Sequence, residues 1–332
     1  MIDLKSSSRQ TNHSLLKLIR VNADYLLLPD SGLWKLHDEL MAEYRQSRAE
    51  GKIPAGDRLD TSLLDVKIEL AERLLKACCF CERRCGCDRF RKAGACGADA
   101  VSRISSEFLH RGEEPELIPS HTIFFEGCNF TCAYCQNWAI ATRARSPPLD
   151  VLRMCRVIEA RRGQGSANVN FVGGDPIPHL HTVLKIVRCM PEELPVIWNS
   201  NMYMTPEAMK LLDGVVDLYL ADFRYGNDEH AYRYSGIRDY WKVTTRNFLE
   251  AKRQARVLVR QLVLPGHVEC CTKPIVEWCA ENLGKDVRFN LMFQYHPEHR
   301  AAVHPEINRP LNMSEIRRAT EIVKAAGLTN LV

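Results

Sequence analysis

Apolar positions along the chain follow two different periods. Leu33, Leu36, Leu40 and Tyr44 recur at helical spacing before Gly51, and Leu64, Ile68, Ala71 and Leu75 repeat the pattern up to Cys78. Residues 1–77 are therefore expected to be helical, with Thr61 as the N-cap of the second helix. From His121 onward, short β-branched and aromatic runs at 121–125, 168–172, 195–199, 215–220, 256–263 and 287–292 alternate with helical stretches. Two of those stretches show clear stripes, Val151, Met154, Cys155 and Ile158 in one and Ile316, Ala319 and Val323 in the other. Pro178, Thr205 and Pro206 suit helix starts, and Gly163 and Gly327 suit helix ends. The alternation predicts βα units and a parallel sheet, an α/β fold. Six strands are too few for a closed eight-stranded barrel. A partial (β/α)6 TIM-like barrel open on one side and a doubly wound sheet fit the pattern equally.

Between these regions, residues 78–100 are rich in Cys, Arg and Gly with little aliphatic periodicity, and such a segment needs a metal to be ordered. The expected organisation is a helical N-terminal extension (1–77), a Cys-rich metal-binding segment (78–100) and a βα domain (115–332). Of the 332 residues 45% are hydrophobic and 26% charged, the proportions of an ordinary globular protein. No apolar run is long enough for a bilayer, and the start, MIDLKSSSRQ, lacks the apolar stretch of a signal peptide, so a cytoplasmic location away from membranes is expected. A net charge of +4 is too small to argue for a nucleic-acid partner.

Cysteine changes this picture. There are 14, nine of them between 78 and 135, and in a reducing compartment clustered thiols usually bind metal. Cys155, Cys189, Cys270, Cys271 and Cys279 instead lie among apolar residues and are expected to act as small core hydrophobes. The strongest signal is Gly127-Cys128-Asn129-Phe130-Thr131-Cys132-Ala133-Tyr134-Cys135, directly after the first strand of the alternating region. Reactive groups of a parallel βα fold collect at the carboxyl ends of strands. Three thiolates there leave one iron of a 4Fe-4S cluster free to bind a ligand. A structural zinc loop would need a fourth Cys or His, and Gln136-Asn137-Trp138 supplies none.

The C-x3-C-x-aromatic-C motif resembles that of the radical SAM superfamily. The resemblance implies a radical SAM core, with Cys128, Cys132 and Cys135 as catalytic ligands of a 4Fe-4S cluster whose open iron chelates S-adenosylmethionine (SAM). Reductive cleavage would yield a 5'-deoxyadenosyl radical for hydrogen abstraction. Tyr134 matches the aromatic position that lies against the adenine, although core filling would explain it too. Gly173-Gly174-Asp175-Pro176, at the next strand end, resembles the superfamily's GGEP motif, which receives the methionine amino group, with Asp in place of Glu. The later strand ends carry Asn199 and Asn201, suited to a ribose, then Asp222 and Arg224, Arg260, suited to the methionine carboxylate, and His296, matching a histidine near the adenosine. Together these resemble glycyl-radical activating enzymes of the pyruvate formate-lyase type, with Arg224 in place of a Lys. A local salt bridge is the plain alternative for Asp222 and Arg224.

Upstream, Cys78, Cys81, Cys85 and Cys96 form a second tetrad that, with its neighbouring Arg and Gly residues, resembles the PflX-type subgroup. Four soft thiolates can complete a second, saturated 4Fe-4S cluster, the preferred reading, or a zinc tetrahedron; spacing does not separate the two, while Cys79 and Cys87 are spare. The expected partners are an electron donor such as a flavodoxin or ferredoxin and a protein or peptide substrate. Sulfur insertion or another radical modification, and a non-enzymatic metal-stapled binding module, are the competing readings. Lys242, Arg246, Arg253 and Arg256 read as a solvated helix flank.

Overall fold

The computed structural model describes residues 11–51, 59–142 and 145–332; residues 1–10, part of the expected helical extension, lie outside them. Three helices open the described chain: α1 (Asn12–Leu16), α2 (Asp30–Glu50) and α3 (Leu63–Leu74). Gly51 ends α2 in the left-handed conformation. The N-cap of α3 is Ser62, one residue beyond the expected Thr61. Its N–H and Oγ both donate to Asp65 at 2.8 Å, and only Ser62 has an acid three residues on to complete a capping box. The α2 and α3 helices pack on each other, and α3 packs on a later helix of the βα region. Leu33, Tyr44 and Leu64 thereby join the same apolar core as Phe171 and Trp198.

A single seven-stranded sheet follows, in the order β1 (Ile104–His110), β2 (Ser120–Phe125), β3 (Asn168–Gly173), β4 (Val196–Ser200), β5 (Leu218–Asp222), β6 (Arg256–Leu262) and β7 (Arg288–Met292). Strands β2 to β7 are the six expected strands and pair in parallel, each with the next. Between them run α4 (Trp138–Ala141), α5 (Val151–Gly163), α6 (Leu180–Cys189), α7 (Pro206–Leu212), α8 (Asp228–Ser235), α9 (Tyr240–Gln254) and α10 (Lys273–Asn282), and α11 (Met313–Ala326) closes the fold. Strands β2 to β5 are buried almost throughout, as strands covered on both faces must be. The sheet is an open, partial barrel, which decides between the two architectures that the pattern allowed.

The strand alternation explains where the barrel holds a core and where it holds a site. On the inner face, Ile197, Leu218, Leu220 and Leu258 form a small apolar floor with Leu117. Two residues further along the same strands, and so on the same face, stand Asn199, Asp222 and Arg260. The outer-face residues between them, Trp198, Tyr219, Ala221 and Val259, pack into the main core.

Strand β1 was not expected. It runs antiparallel to β2 with a register irregularity between Ile104 and Ser106, and its burial does not alternate. The connection from β1 to β2 reaches across to β6 and β7. Glu116 accepts from Arg288 at 2.6 Å, Glu114 accepts from Asn290 at 3.0 Å, and Glu113 lies 3.6 Å from Arg260. Two of the cysteines expected as lone core hydrophobes, Cys155 on α5 and Cys189 after α6, are joined as a disulfide, whereas Cys271 and Cys279 are buried and free. Arg246 is also more than a solvated flank, because it donates to Glu82 of the Cys-rich segment at 2.9 Å and to the carbonyl of Met204 at 2.7 Å.

Lys67 on α3 is fully buried, donating to the Lys210 carbonyl at 2.8 Å and lying 3.0 Å from His37 Nε2. Burial pushes Lys67 down to about 7 and His37 down to about 3. An unfolded lysine keeps its proton to about pH 10.4, so between these values unfolding takes up a proton and stability rises with pH. Urea unfolding of wild type and Lys67→Met at pH 7, 8 and 9 should show the wild-type advantage growing by up to about 1.4 kcal/mol per unit. A flat difference would mean that Lys67 is charged in the folded protein.

Candidate active site

The three thiols of the C-x3-C-x2-C loop lie just beyond the end of β2. Their loop is tied at both ends by backbone hydrogen bonds: Gly127 donates to Ile140 at 2.8 Å, Cys128 to Cys96 at 3.0 Å, Thr131 to Ser235 at 3.2 Å and Ala133 to Tyr234 at 2.7 Å. Gly173 and Gly174 are needed first by the protein itself. A Cβ on Gly173 would meet Phe125 O at 2.1 Å, and one on Gly174 would meet Gly127 O at 2.2 Å. Burial pushes the Cys128 thiol well above its ordinary value and Cys135 up to about 11. Such thiols do not ionise unaided near neutral pH; a bound cation would make them thiolates.

Against this loop opens a cavity of about 360 Å³, within the range of small-molecule sites. It gathers Tyr134, Cys135, Gly173, Gly174, Asp175, Asn199, Asn201, Asp222, Arg224 and Arg260, and Glu113 and Met292 complete its wall. A second opening, on the other side of the loop, is bordered by all three cysteines, Gly174, Asn201 and Arg224. His296 is not brought to either. Its side chain is 58% exposed, 3.9 Å from Glu298, because the chain turns outward after β7, and the adjacent Tyr295 is the residue that turns inward and packs edge-on against Tyr134.

The strand-end side chains are already coupled to one another. Arg224 donates to Asp222 at 2.6 Å, and its other terminal nitrogen lies 3.7 Å from Cys132 Sγ. Arg260 donates to Asp222 at 2.9 Å and to Asn199 at 2.5 Å. Burial alone would favour the neutral acid, but Arg260 and Arg224 hold Asp222 below the usual carboxylate range. The salt bridge set as the plain alternative for Asp222 and Arg224 is therefore present, and it lies in the cavity wall. Asp175 accepts from Ser200 Oγ at 3.0 Å, from Asn201 N at 2.9 Å and from Ile177 N at 3.0 Å, and burial raises it to about 6. Asn201 donates to Asn129 at 2.7 Å, and Tyr134 donates to Tyr225 at 2.8 Å.

A family model of the radical SAM superfamily matches residues 122–279, a span that holds the cysteine loop and strands β3 to β6. Residues 122–279 carry a domain of the radical SAM superfamily. The chain is 42% identical over 303 residues to an uncharacterised protein, MJ0674, of Methanocaldococcus jannaschii, covering 89% of this chain and 88% of that one. Among solved structures, Streptococcus suis SuiB bound to its precursor peptide SuiA superposes with a TM-score of 0.50 at 12% identity, over 91% of this chain and 65% of SuiB. SuiB bound to S-adenosylmethionine gives 0.49 at 13% identity, over 90% and 62%. The chain thus spans less than two thirds of the length of SuiB.

The donor set fits the 4Fe-4S cluster that a radical SAM domain implies. Three thiols share one loop, Arg224 places positive charge beside Cys132, and the buried Nε of Arg224 has no hydrogen-bond partner among the described residues. Two residues carried no signal in the sequence: Ser235, whose hydroxyl donates to Cys132 Sγ at 3.0 Å from 103 residues away, and Glu113, which comes from the connection before β2. Asn129 was visible inside the motif but carried no distinguishing signal.

The four upstream thiols also converge. Cys78, Cys81, Cys85 and Cys96 border one small cavity with Arg89, whereas Cys87 turns away to donate to the Lys92 carbonyl at 3.3 Å. Burial pushes Cys81 up to about 12. Arg89 is buried and donates to the Pro178 and Asp99 carbonyls at 2.6 Å.

Asp222→Asn would leave two half-buried arginines without their shared anion. A loss of about 3 kcal/mol in urea unfolding is expected, and a loss within 0.5 kcal/mol, the scale of a surface change, would mean that the network carries no stability.

Proposed function

We propose that this radical SAM enzyme reductively cleaves SAM and uses the 5'-deoxyadenosyl radical to abstract hydrogen from a protein or peptide, in the manner of the glycyl-radical activating enzymes and within the PflX-type subgroup. The observation that carries the reading is the placement of three thiols at the mouth of a cavity walled by the carboxyl ends of the parallel strands. When bound, the cluster supplies the open iron and the electron for cleavage.

The chain's own residues bind and orient. Arg260, held by Asp222 and Asn199, would present its guanidinium to the methionine carboxylate. Asp175 adds negative charge beside the amino group, and its ties to Ser200 and Asn201 set its direction. Tyr134, fixed by Tyr225, would lie against the adenine. The open side of the barrel favours a peptide loop as substrate, and SuiB, of similar fold, is seen with a precursor peptide. A flavodoxin or ferredoxin would supply electrons. A reducing, cytoplasmic location suits the free thiols of the loop and the tetrad. A radical SAM domain sets aside the binding module.

For the tetrad we propose a second, saturated 4Fe-4S cluster that relays electrons, a reading supported by the backbone contact of Cys96 with Cys128. The same cluster would serve sulfur insertion.

Two measurements test these readings. Anaerobic protein with SAM and dithionite should form 5'-deoxyadenosine, and replacing Cys128, Cys132 and Cys135 with Ala should abolish it; product from that variant, or none from wild type, overturns the radical reading. Replacing Cys78, Cys81 and Cys85 with Ala should remove about four irons per chain. Loss of one zinc with all iron retained would make the tetrad a staple.

A further inference from the structure

A third cluster of ligating side chains lies behind the cysteine loop. His230 stands on the first turns of α8, and Cys270 and Cys271 occupy a π-helical turn, Val268–Thr272, between β6 and α10. One ligand atom from each of the three lies within 4.8 Å of the others. Cys271 Sγ is 3.7 Å from His230 Nδ1. A tetrahedral zinc with Zn–S of about 2.3 Å and Zn–N of about 2.0–2.1 Å holds a sulfur and a nitrogen about 3.6 Å apart.

The two segments are pressed together independently of any metal. A Cβ on Gly226 would meet the Cys270 carbonyl at 2.6 Å, and Asn227 both donates to that carbonyl at 3.0 Å and caps the helix by accepting from His230 N at 2.9 Å. His267 is spoken for, since one ring nitrogen is 2.6 Å from the Pro265 carbonyl and the other 2.9 Å from Tyr234 Oη. Its ring stands edge-on to that of His230 with centroids 4.7 Å apart, setting the orientation of the His230 ring. Two thiols and an imidazole form a soft donor set that favours zinc over calcium or magnesium. Three protein ligands leave the fourth position to water, so the site is an open one, distinct from the closed four-ligand zinc that the loop cysteines lack a partner to form.

We propose that His230, Cys270 and Cys271 bind a zinc ion that staples the start of α8 to the turn before α10. The consequence reaches the active site through the other end of the helix. The last turn of α8 holds the cysteine loop, through the Tyr234 and Ser235 carbonyls and through the Ser235 hydroxyl on Cys132. Zinc at one end of this two-turn helix therefore steadies a cluster ligand at the other.

The test is elemental analysis of the anaerobically purified holoprotein after dialysis against zinc and removal of free metal. Wild type should retain one zinc per chain more than Cys270→Ser/Cys271→Ser and more than His230→Gln, with iron unchanged. The zinc absorption edge of wild type should include a two-sulfur, one-nitrogen shell that both variants lack. His230→Gln, at a half-buried position, keeps the test open if the double variant fails to fold. Equal zinc in wild type and variants overturns the proposal, as does a wild type that holds Cys270 and Cys271 as an oxidised pair without zinc. The zinc count does not depend on SAM cleavage, so failure of the staple and failure of the proposed function are separately visible.

Discussion

Gly174 has no room for a side chain, and the site depends on that. With a Cβ 2.2 Å from Gly127 O, the end of β3 would be pushed off the end of β2. The hydrogen bonds from Gly174 N to Phe125 O and from Asp175 N to Gly127 O, at 2.9 and 3.1 Å, would be lost together. Those bonds carry the cysteine loop against the strand ends. The glycine pair thus serves the protein's own backbone before any ligand.

Charge is arranged around the same point. Asp222 sits between Arg224 and Arg260, and each arginine reaches a second group, Cys132 for one and Asn199 for the other. Half-buried charges of this kind are stable when paired and hydrogen-bonded. Their mutual restraint gives the cavity a preorganised polar wall above an apolar floor.

The regions outside the barrel support the loop from several sides. The Cys-rich segment supplies the Cys96 carbonyl, α8 supplies Tyr234 and Ser235, and the connection from β1 to β2 reaches the far wall through Glu113. The loop is therefore held by segments that are distant from it in sequence.

The sequence by itself determined the α/β class, the six parallel strands and the three loop cysteines, because buried parallel strands are continuous apolar runs and thiol spacing is local. Ten cavity residues were legible for the same reason, since each stands in or beside a strand-end motif. Barrel or doubly wound sheet was left to the tertiary structure, as strand pattern carries no information about curvature. Strand β1 escaped because its residues do not alternate in burial. His296 was misleading because a motif position does not say which way a chain turns after its strand. Ser235, Glu113 and the pairing of Cys155 with Cys189 depend on contacts between distant segments, and only the packing of helices on the sheet decides these.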